Sequence, residues 1–230
     1  MNSIRRDEEL DAIHSIYVDQ WDWEKIITKE DRNEDYLEFT VRKIYKVIKD
    51  TLDKVKSKFK NITVSLPDDI YFITSEDLLK MYPDKSSKER ENIITRLHKA
   101  VFIKGIGGRL SNGRPHDGRA ADYDDWSLNG DILVWNEVIN SAFELSSMGI
   151  RVDSTALIDQ LDQKGENYKL ENEYCKNILS DTLPLTIGGG IGQSRLCMFM
   201  LEKAHIGEVQ VSVWKEEYIK YLEKKNIHLL

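Results

Sequence analysis

The segment that decides the fold runs from Leu185 to Leu196 and reads LTIGGGIGQSRL. A short apolar run leads into four glycines within five residues, and the residues after Arg195 have helical apolar spacing. Glycine lets the backbone approach a bulky ligand and adopts positive φ without strain. A helix N-terminus favours an anion, and an arginine can grip a phosphate or stack on a base. The segment predicts either a glycine loop at a nucleotide or a glycine turn for tight helix–strand packing.

The spacing of these glycines excludes two common phosphate-binding motifs. No third glycine stands two residues beyond Gln193, so the segment is not a dinucleotide fingerprint. No Gly-Lys-Ser/Thr follows, so it is not a P-loop either. The glycines alone leave packing and ligand binding about equal, and the arginine together with carboxylates elsewhere favours a nucleotide.

Length and composition are typical of a soluble globular protein. The 230 residues suffice for one large domain, and 40% of them are hydrophobic. The net charge of −7 gives no general electrostatic argument for nucleic-acid binding. The sequence has no apolar run of about 18 residues and no signal-peptide pattern at its start, so we expect a cytoplasmic location without membrane contact. Cys175 and Cys197 lack metal spacing, and Cys197 is predicted to be a core residue.

Helices and strands are predicted in separate runs along the chain. Apolar spacing over residues 34–59 predicts a long helix with one buried face. A helix over residues 87–100 has Ser86 or Ser87 as its cap. Strands are predicted at residues 13–27, 70–74, 101–108, 130–135, 143–152 and 209–214. This order favours an α+β fold with an antiparallel sheet over alternating βαβ units.

Polar residues concentrate in three further places, of which the first is residues 116–126. This stretch contains Arg119 and Asp124, which are five residues apart. In a regular strand that spacing places them on opposite faces, so both can face one pocket only across a bulge or turn. Taken alone, the stretch is more simply interpreted as an exposed acidic hairpin.

The second place contains two carboxylates within apolar strands, Asp131 and Glu144. A buried carboxylate is costly unless it is paired or bound to a metal. On adjacent strands the two predict an oxygen site for Mg²⁺ that carries ATP phosphates. A structural carboxylate pair is the alternative, and it ranks second because Ser147 and Arg151 continue the polar face.

The third place comprises Arg5 and Glu8, followed by a polar and aromatic stretch over residues 17–23. Within that stretch the strand period of two puts Gln20 and Asp22 on one face. A lone glutamine carries little information, so the three places gain meaning only when they are taken together.

Together these segments resemble one family, asparagine synthetase A, the ammonia-dependent aspartate ligases. The residues that carry the resemblance are 14–24, 122–126, 128–136, 142–153 and the glycine segment 185–196. The resemblance runs from about Ile4 to the end of the chain, and motifs of this length and order are highly specific.

The resemblance implies a single catalytic domain over residues 1–230, with an antiparallel sheet flanked by helices as in class II aminoacyl-tRNA synthetases. It also implies the reaction: ATP and aspartate form β-aspartyl-AMP and pyrophosphate, and ammonia then displaces AMP to give asparagine. Such chemistry depends mainly on positioning and charge neutralisation, which arginines and Mg²⁺ supply.

The resemblance further implies a role for each polar residue. Arg5 would contact the α-phosphate, Glu8 the adenine and Arg195 the nucleotide. Asp131 and Glu144 would carry Mg²⁺, with Ser147 beside the ribose or phosphates. The implied aspartate pocket comprises Gln20, Asp22, Arg119, Asp124 and, near its rim, Arg151. Among these residues, the direct participants in catalysis would be Arg5, Gln20, Arg119 and Asp124.

The sequence departs from the family pattern in two ways. The N-terminal segment that holds the dimer-forming first motif and part of the aspartate site has no counterpart before Ile4. The link between residues 126 and 128 is also shorter than in the family. We therefore expect a fragment that makes little or no asparagine alone, or a non-catalytic nucleotide-binding or dimerising paralogue, and the family homodimer is in doubt. A tRNA-charging enzyme is disfavoured, because the acidic chain offers no anticodon-binding domain or basic surface.

Overall fold

Seven strands form one sheet in the computed structural model, which describes residues 1–230. The strands are Asn2–Ile4 (β1), Tyr17–Ile26 (β2), Tyr71–Thr74 (β3), Ala100–Lys104 (β4), Asp124–Asn136 (β5), Ser141–Arg151 (β6) and Thr186–Gly192 (β7). Their spatial order is β1-β2-β7-β6-β5-β4-β3, and all neighbours are antiparallel except β3 and β4. The predicted α+β fold with a mostly antiparallel sheet is confirmed.

Seven α-helices connect and cover these strands. They are Glu34–Lys58 (α1), Ser75–Met81 (α2), Ser87–His98 (α3), Ser154–Lys164 (α4), Glu173–Leu179 (α5), Gln193–Met200 (α6) and Glu216–Glu223 (α7). β3 and β4 run parallel because α2 and α3 form the crossover that a parallel pair requires. None of the seven helices combines the length and the apolarity needed to cross a membrane.

One apolar stripe explains the length and position of α1. Its buried residues are Leu37, Val41, Tyr45, Ile48 and Leu52. They recur every three or four residues, so they lie on one face of the helix. The helix begins where Asn33 accepts a hydrogen bond from the backbone N–H of Tyr36 at 2.9 Å. The long helix predicted from apolar spacing is confirmed.

A capping box fixes the start of α3, and Ser86 is the one of the two predicted caps that forms it. The Ser86 hydroxyl accepts a hydrogen bond from the backbone N–H of Glu89, whose carboxylate accepts one from the N–H of Ser86. The first turn of α3 is therefore held in one orientation, and with it the side chains that it presents.

The two faces of the sheet carry separate apolar cores. Phe102 and Ile132 lie in the main core with α1 and α6. Val101, Ile103 and Leu133 alternate with them and lie on the other face, in a smaller core with α2 and α3. That second face is apolar over β3, β4 and part of β5, whereas over β6, β7 and β2 it carries polar side chains.

The glycine segment is a strand, not the loop that its composition predicts. Its four glycines lie in β7, between β2 and β6, and none has a positive φ. Glycine is needed there for a steric reason. A Cβ at Gly188 would overlap Oε2 of Glu24 and would lie 2.5 Å from Nη2 of Arg151. The segment therefore contributes a bare backbone to the middle of the sheet.

The chain after α6 also differs from the prediction. Residues 209–214 alternate apolar and polar side chains but form no strand, because no neighbouring strand pairs with them; α7, which follows, was not predicted. Cys197 is exposed on α6, so its predicted place in the core is wrong. The buried face of α6 is formed instead by Leu196, Met198, Phe199 and Met200.

Candidate active site

Strand register aligns polar residues from four strands on one face of the sheet. Asp22 on β2 lies opposite Gly190 on β7, and Gly190 lies opposite Ser147 on β6. Ser147 in turn lies opposite Asp131 on β5. Because directly paired residues point to the same side of a sheet, these four positions form one row across it. Residues that are far apart in sequence are thereby brought together.

Glycines form the floor of a groove along this face. A Cβ at Gly190 would lie 3.0 Å from Oδ1 of Asp22 and 3.3 Å from Nε2 of Gln20, so both polar side chains lie over its backbone. The next row contains Glu24, Gly188 and Gly149. Since glycine has no side chain, polar side chains from the neighbouring strands can lie directly over the backbone of β7.

A β-bulge brings Glu144 into the same groove. Ser147 pairs with Asp131, whereas Glu144 pairs with Leu133, so β6 has one extra residue, Leu145, between the two pairs. In a regular strand, residues three apart point to opposite faces, and the extra residue cancels that difference. Glu144 and Ser147 therefore face Asp131 together, a geometry that simple alternation does not predict.

A cavity of about 330 Å³ opens where β2, β6 and β7 meet the loop after β1. It is lined by five of the residues singled out from the sequence: Arg5, Glu8, Gln20, Glu144 and Arg195. The other six lie outside its lining, on the groove or beside it: Asp22, Arg119, Asp124, Asp131, Ser147 and Arg151. The predicted nucleotide contacts and the predicted aspartate contacts therefore lie largely in different parts of one polar surface.

Two arginines in the cavity are each held by a carboxylate. Arg5 donates to Glu8 at 3.0 Å. The Arg195 guanidinium lies 3.6 Å from the carboxylate of Glu144, donates to its backbone carbonyl at 3.2 Å and stacks over the ring of Phe143. Both arginines remain partly exposed to the cavity, so an anionic ligand can reach them.

A buried arginine anchors the other part of the groove. Arg151 donates to Glu24 at 2.8 Å and to the Tyr123 hydroxyl at 3.1 Å, and it also binds Asp124. Burial opposes its charge, but the hydrogen bonds that it donates to Glu24 and the charge of Asp124 raise its pKa above the usual value. Burial also raises the pKa of Asp124, partly offset by Arg151. The Arg151 guanidinium directs its hydrogen bonds to residues within this cluster, so it orients the neighbouring carboxylates.

Asp131 and Arg119 form an ion pair at the edge of the groove. Arg119 lies in the loop before β5, and the turn at that point lets it approach the same surface as Asp124. Oδ1 of Asp131 is buried without a hydrogen-bond partner. Burial, together with the negative charge of Glu144, raises the pKa of Asp131 to about 7, although Arg119 opposes the shift.

Asp131 and Glu144 fit the coordination that Mg²⁺ takes beside phosphates. Mg²⁺ in nucleotide sites is usually held by one or two carboxylates together with phosphate oxygens and water. The orphaned oxygen of Asp131 faces the charge of Glu144, and no third His, Cys, Asp or Glu joins them. The pair alone is a weak metal site, and phosphate oxygens would complete it.

The structure adds residues that the sequence did not single out. Glu24 continues the period of two from Gln20 and Asp22, so strand alternation alone could have predicted it. Lys88 and Asp117 line the cavity from α3 and from the loop before β5. Asp117 belongs to the polar stretch 116–126, whereas no local pattern marks Lys88, because its approach depends on how α3 packs against the sheet.

Solved structures with the same architecture define the class of fold. An aspartyl-tRNA synthetase from Entamoeba histolytica superposes with a TM-score of 0.65 at 15% identity, over 94% of this chain and 47% of that one. An asparaginyl-tRNA synthetase from Pyrococcus horikoshii, complexed with asparaginyl-adenylate, gives 0.63 at 15% identity, over 91% and 50%. The chain spans about half the length of these proteins and has the catalytic fold of class II aminoacyl-tRNA synthetases, as predicted.

Sequence comparison then identifies the family. A profile described as Aspartate-ammonia ligase matches residues 1–226. An aspartate–ammonia ligase from Bacillus cereus (strain AH187) is 60% identical over 229 residues, which are 100% of this chain and 70% of that protein. One from Bacillus cytotoxicus is also 60% identical over the same shares. The chain belongs to the aspartate–ammonia ligase family, a family of ligases that make asparagine from aspartate, and the predicted resemblance is confirmed.

Proposed function

We propose that the groove binds ATP and aspartate end to end and joins them as β-aspartyl-AMP, which ammonia converts to asparagine. The observation that carries this proposal is the continuity of the polar face. The cavity with Arg5 and Arg195 shares Gln20 and the glycine floor with the groove that leads to Arg151. A nucleotide in the cavity and an amino acid in the groove would therefore approach each other beside Gln20 and Gly190.

The nucleotide occupies the cavity in this proposal. Arg5 binds the α-phosphate, Glu8 lies near the adenine, and Arg195 holds the nucleotide from the opposite side. Two observations support these roles. The three residues line one cavity, and a hydrogen bond fixes each arginine. Arginine suits this role because its planar guanidinium can bind two phosphate oxygens at once.

Asp131 and Glu144 would hold Mg²⁺ at the phosphates, and Ser147 lies between them on the same face. The ion would supply charge neutralisation during phosphoryl transfer. Without the ion, the two carboxylates would repel the phosphates. They also repel each other, and this repulsion is the second cause, after burial, of the raised pKa of Asp131. Arg119 neutralises one of the two carboxylates.

Aspartate occupies the groove beside Gly190, against the side chains that lie over that residue. Gln20, Asp22, Arg119 and Asp124 line it, and Arg151 keeps Asp124 in position. A β-carboxylate oxygen forms a bond to the α-phosphorus, the bond from that phosphorus to the bridging oxygen breaks, and pyrophosphate leaves. Ammonia then attacks the β-carbonyl carbon, AMP leaves with the bonding pair, and the nitrogen loses a proton. Fixing both reactants on one rigid sheet supplies most of the acceleration.

Oxygen labelling tests this function. The chain is incubated with ATP, ammonia and aspartate that carries ¹⁸O in its β-carboxylate. We expect AMP, pyrophosphate and asparagine in equal amounts, with one labelled oxygen in each AMP, because the leaving AMP keeps the carboxylate oxygen. The label reports on each turnover, however few there are. Formation of ADP and phosphate, or of AMP without label, would contradict the adenylate route.

Gly190→Ala is expected to impair aspartate binding more than stability. The new Cβ would lie 3.0 Å from Asp22 and 3.3 Å from Gln20, so both side chains must give by a few tenths of an ångström. The methyl group also fills part of the groove floor. Calorimetric titration should show aspartate affinity falling by about tenfold or more, while urea unfolding changes by less than about 1 kcal/mol. Unchanged aspartate affinity would place the amino acid elsewhere.

A further inference from the structure

Lys88 is the third basic side chain besides Arg5 and Arg195 that lines the cavity. It lies in the first turn of α3, whose N-terminus adds the positive end of a helix dipole. Its side chain is 72% exposed and lines the cavity, although the surrounding protein partly desolvates its ammonium group. The roles assigned above to the two arginines leave this lysine without a function.

Two buried groups hold Lys88 in place. Its Nζ lies 2.9 Å from Oε2 of Glu91, one turn further along α3, and the Glu91 side chain is only 8% exposed. Nε2 of His116, whose side chain is fully buried, lies 3.1 Å from the other carboxylate oxygen. A carboxylate is costly to bury unless both oxygens are satisfied. Glu91 therefore joins the exposed lysine to a rigid, buried support.

The protonation of these groups follows from their surroundings. Burial raises the pKa of Glu91, but hydrogen bonds from His116 and Lys88 outweigh it, so the pKa lies below the usual value and Glu91 is ionised. An ionised carboxylate only accepts, so Nε2 of His116 must donate to it. Burial opposes the charge of Lys88, while Glu91, Asp117 and Glu144 raise its pKa above the usual value. Lys88 is thus a fixed cation.

We propose that Lys88 binds the β- and γ-phosphates of ATP and the pyrophosphate that they become, and that Glu91 and His116 are positioning residues for it. When the bridging oxygen leaves the α-phosphorus, it takes the bonding pair, so negative charge grows on the pyrophosphate. A cation that touches only this leaving group stabilises the charge where it develops. The inference rests on the proposed function, because it assigns one end of the ATP that the cavity binds.

Calorimetric titration of the full chain with ATP and Mg²⁺, with pyrophosphate and with AMP tests the proposal. Lys88→Met removes the charge from an exposed side chain, so folding is preserved, and K88R restores a cation. We expect K88M to lose about 10- to 100-fold in affinity for ATP and pyrophosphate, the value of one charge-assisted hydrogen bond, while AMP affinity changes less than about twofold. K88R should recover most of the loss.

Two further variants separate this role from general effects. Glu91→Gln should weaken pyrophosphate binding in part and leave AMP binding intact, which a merely structural role would not do. Lys85→Met is the matched control, because Lys85 pairs with Glu89 on the same turn but does not line the cavity. It should change none of the affinities.

The outcomes are distinct. Equal losses for AMP and pyrophosphate in K88M, or an unchanged pyrophosphate affinity, would overturn the role of Lys88 while leaving the proposed function standing. A wild-type chain that binds AMP but not pyrophosphate would overturn it as well. Failure of the wild-type chain to bind AMP would contradict the proposed function itself, and the inference with it.

Discussion

Glu144→Ala is expected to abolish Mg²⁺-dependent binding of ATP without unfolding the chain. Glu144 lines the cavity and lies on the same face of the sheet as Asp131, and its side chain is 41% exposed. Removing a partly exposed carboxylate leaves no large void in the core, so the fold should persist. In the proposed two-carboxylate site, removing Glu144 would leave Asp131 as the sole protein ligand, which is too little to hold the ion in water.

Calorimetry with and without Mg²⁺ measures this effect, and far-UV circular dichroism reports on the fold. Glu137→Ala is the matched control, because Glu137 is an exposed carboxylate just beyond the end of β5 that pairs with Lys99, far from the cavity lining. The control should bind ATP as the wild type does. If Glu144→Ala keeps its Mg²⁺-dependent affinity, Glu144 has no metal role.

Arg151→Met is expected to lower the free energy of unfolding by about 3–5 kcal/mol and to remove aspartate binding. The arginine side chain is 6% exposed and holds Asp124, which is 7% exposed, together with Glu24. Without the arginine, a buried carboxylate has no cation, and that is the costly case for ion pairs. Asp124 would then protonate or turn towards water, and either change disorganises the aspartate end of the groove.

Urea unfolding gives the stability change, and titration with aspartate gives the affinity. Arg151→Lys should be intermediate, since lysine keeps the charge but cannot form the arginine's fork of hydrogen bonds. Arg6→Met serves as control, because Arg6 and Asp7 form an ion pair that is highly exposed on both sides. Such an exposed pair contributes little to stability. A cost for Arg151→Met as small as that of the control would mean that the buried cluster does not organise the groove.

Local patterns in the sequence predicted much of the fold. The spacing of Leu37 to Leu52 predicted α1, and a cap at Ser86 or Ser87 predicted the start of α3, because helix periodicity and capping are encoded within a few residues. Alternation within β2 likewise placed Gln20 and Asp22 on one face. These features need no knowledge of distant contacts.

The remainder depends on tertiary contacts that local patterns do not contain. The glycines were expected in a loop because glycine is common at positive φ, whereas their true constraint is the close approach of Glu24 and Arg151 from neighbouring strands. The bulge at Leu145, which turns Glu144 towards Asp131, shows only in the pairing of β5 with β6. Lys88 lines the cavity only because α3 packs beside it, and no local sequence pattern shows that packing.

A crystal structure with a non-hydrolysable analogue of β-aspartyl-AMP tests the central claim most directly. The account predicts the adenosine beside Arg5 and Glu8, the phosphate mimic against Arg195, and the aspartyl group beside Gly190. One ligand would then bridge the cavity and the groove on a single face of the sheet. An aspartyl group that lies off the glycine strand, or a nucleotide bound outside the cavity of Arg5 and Arg195, would contradict it.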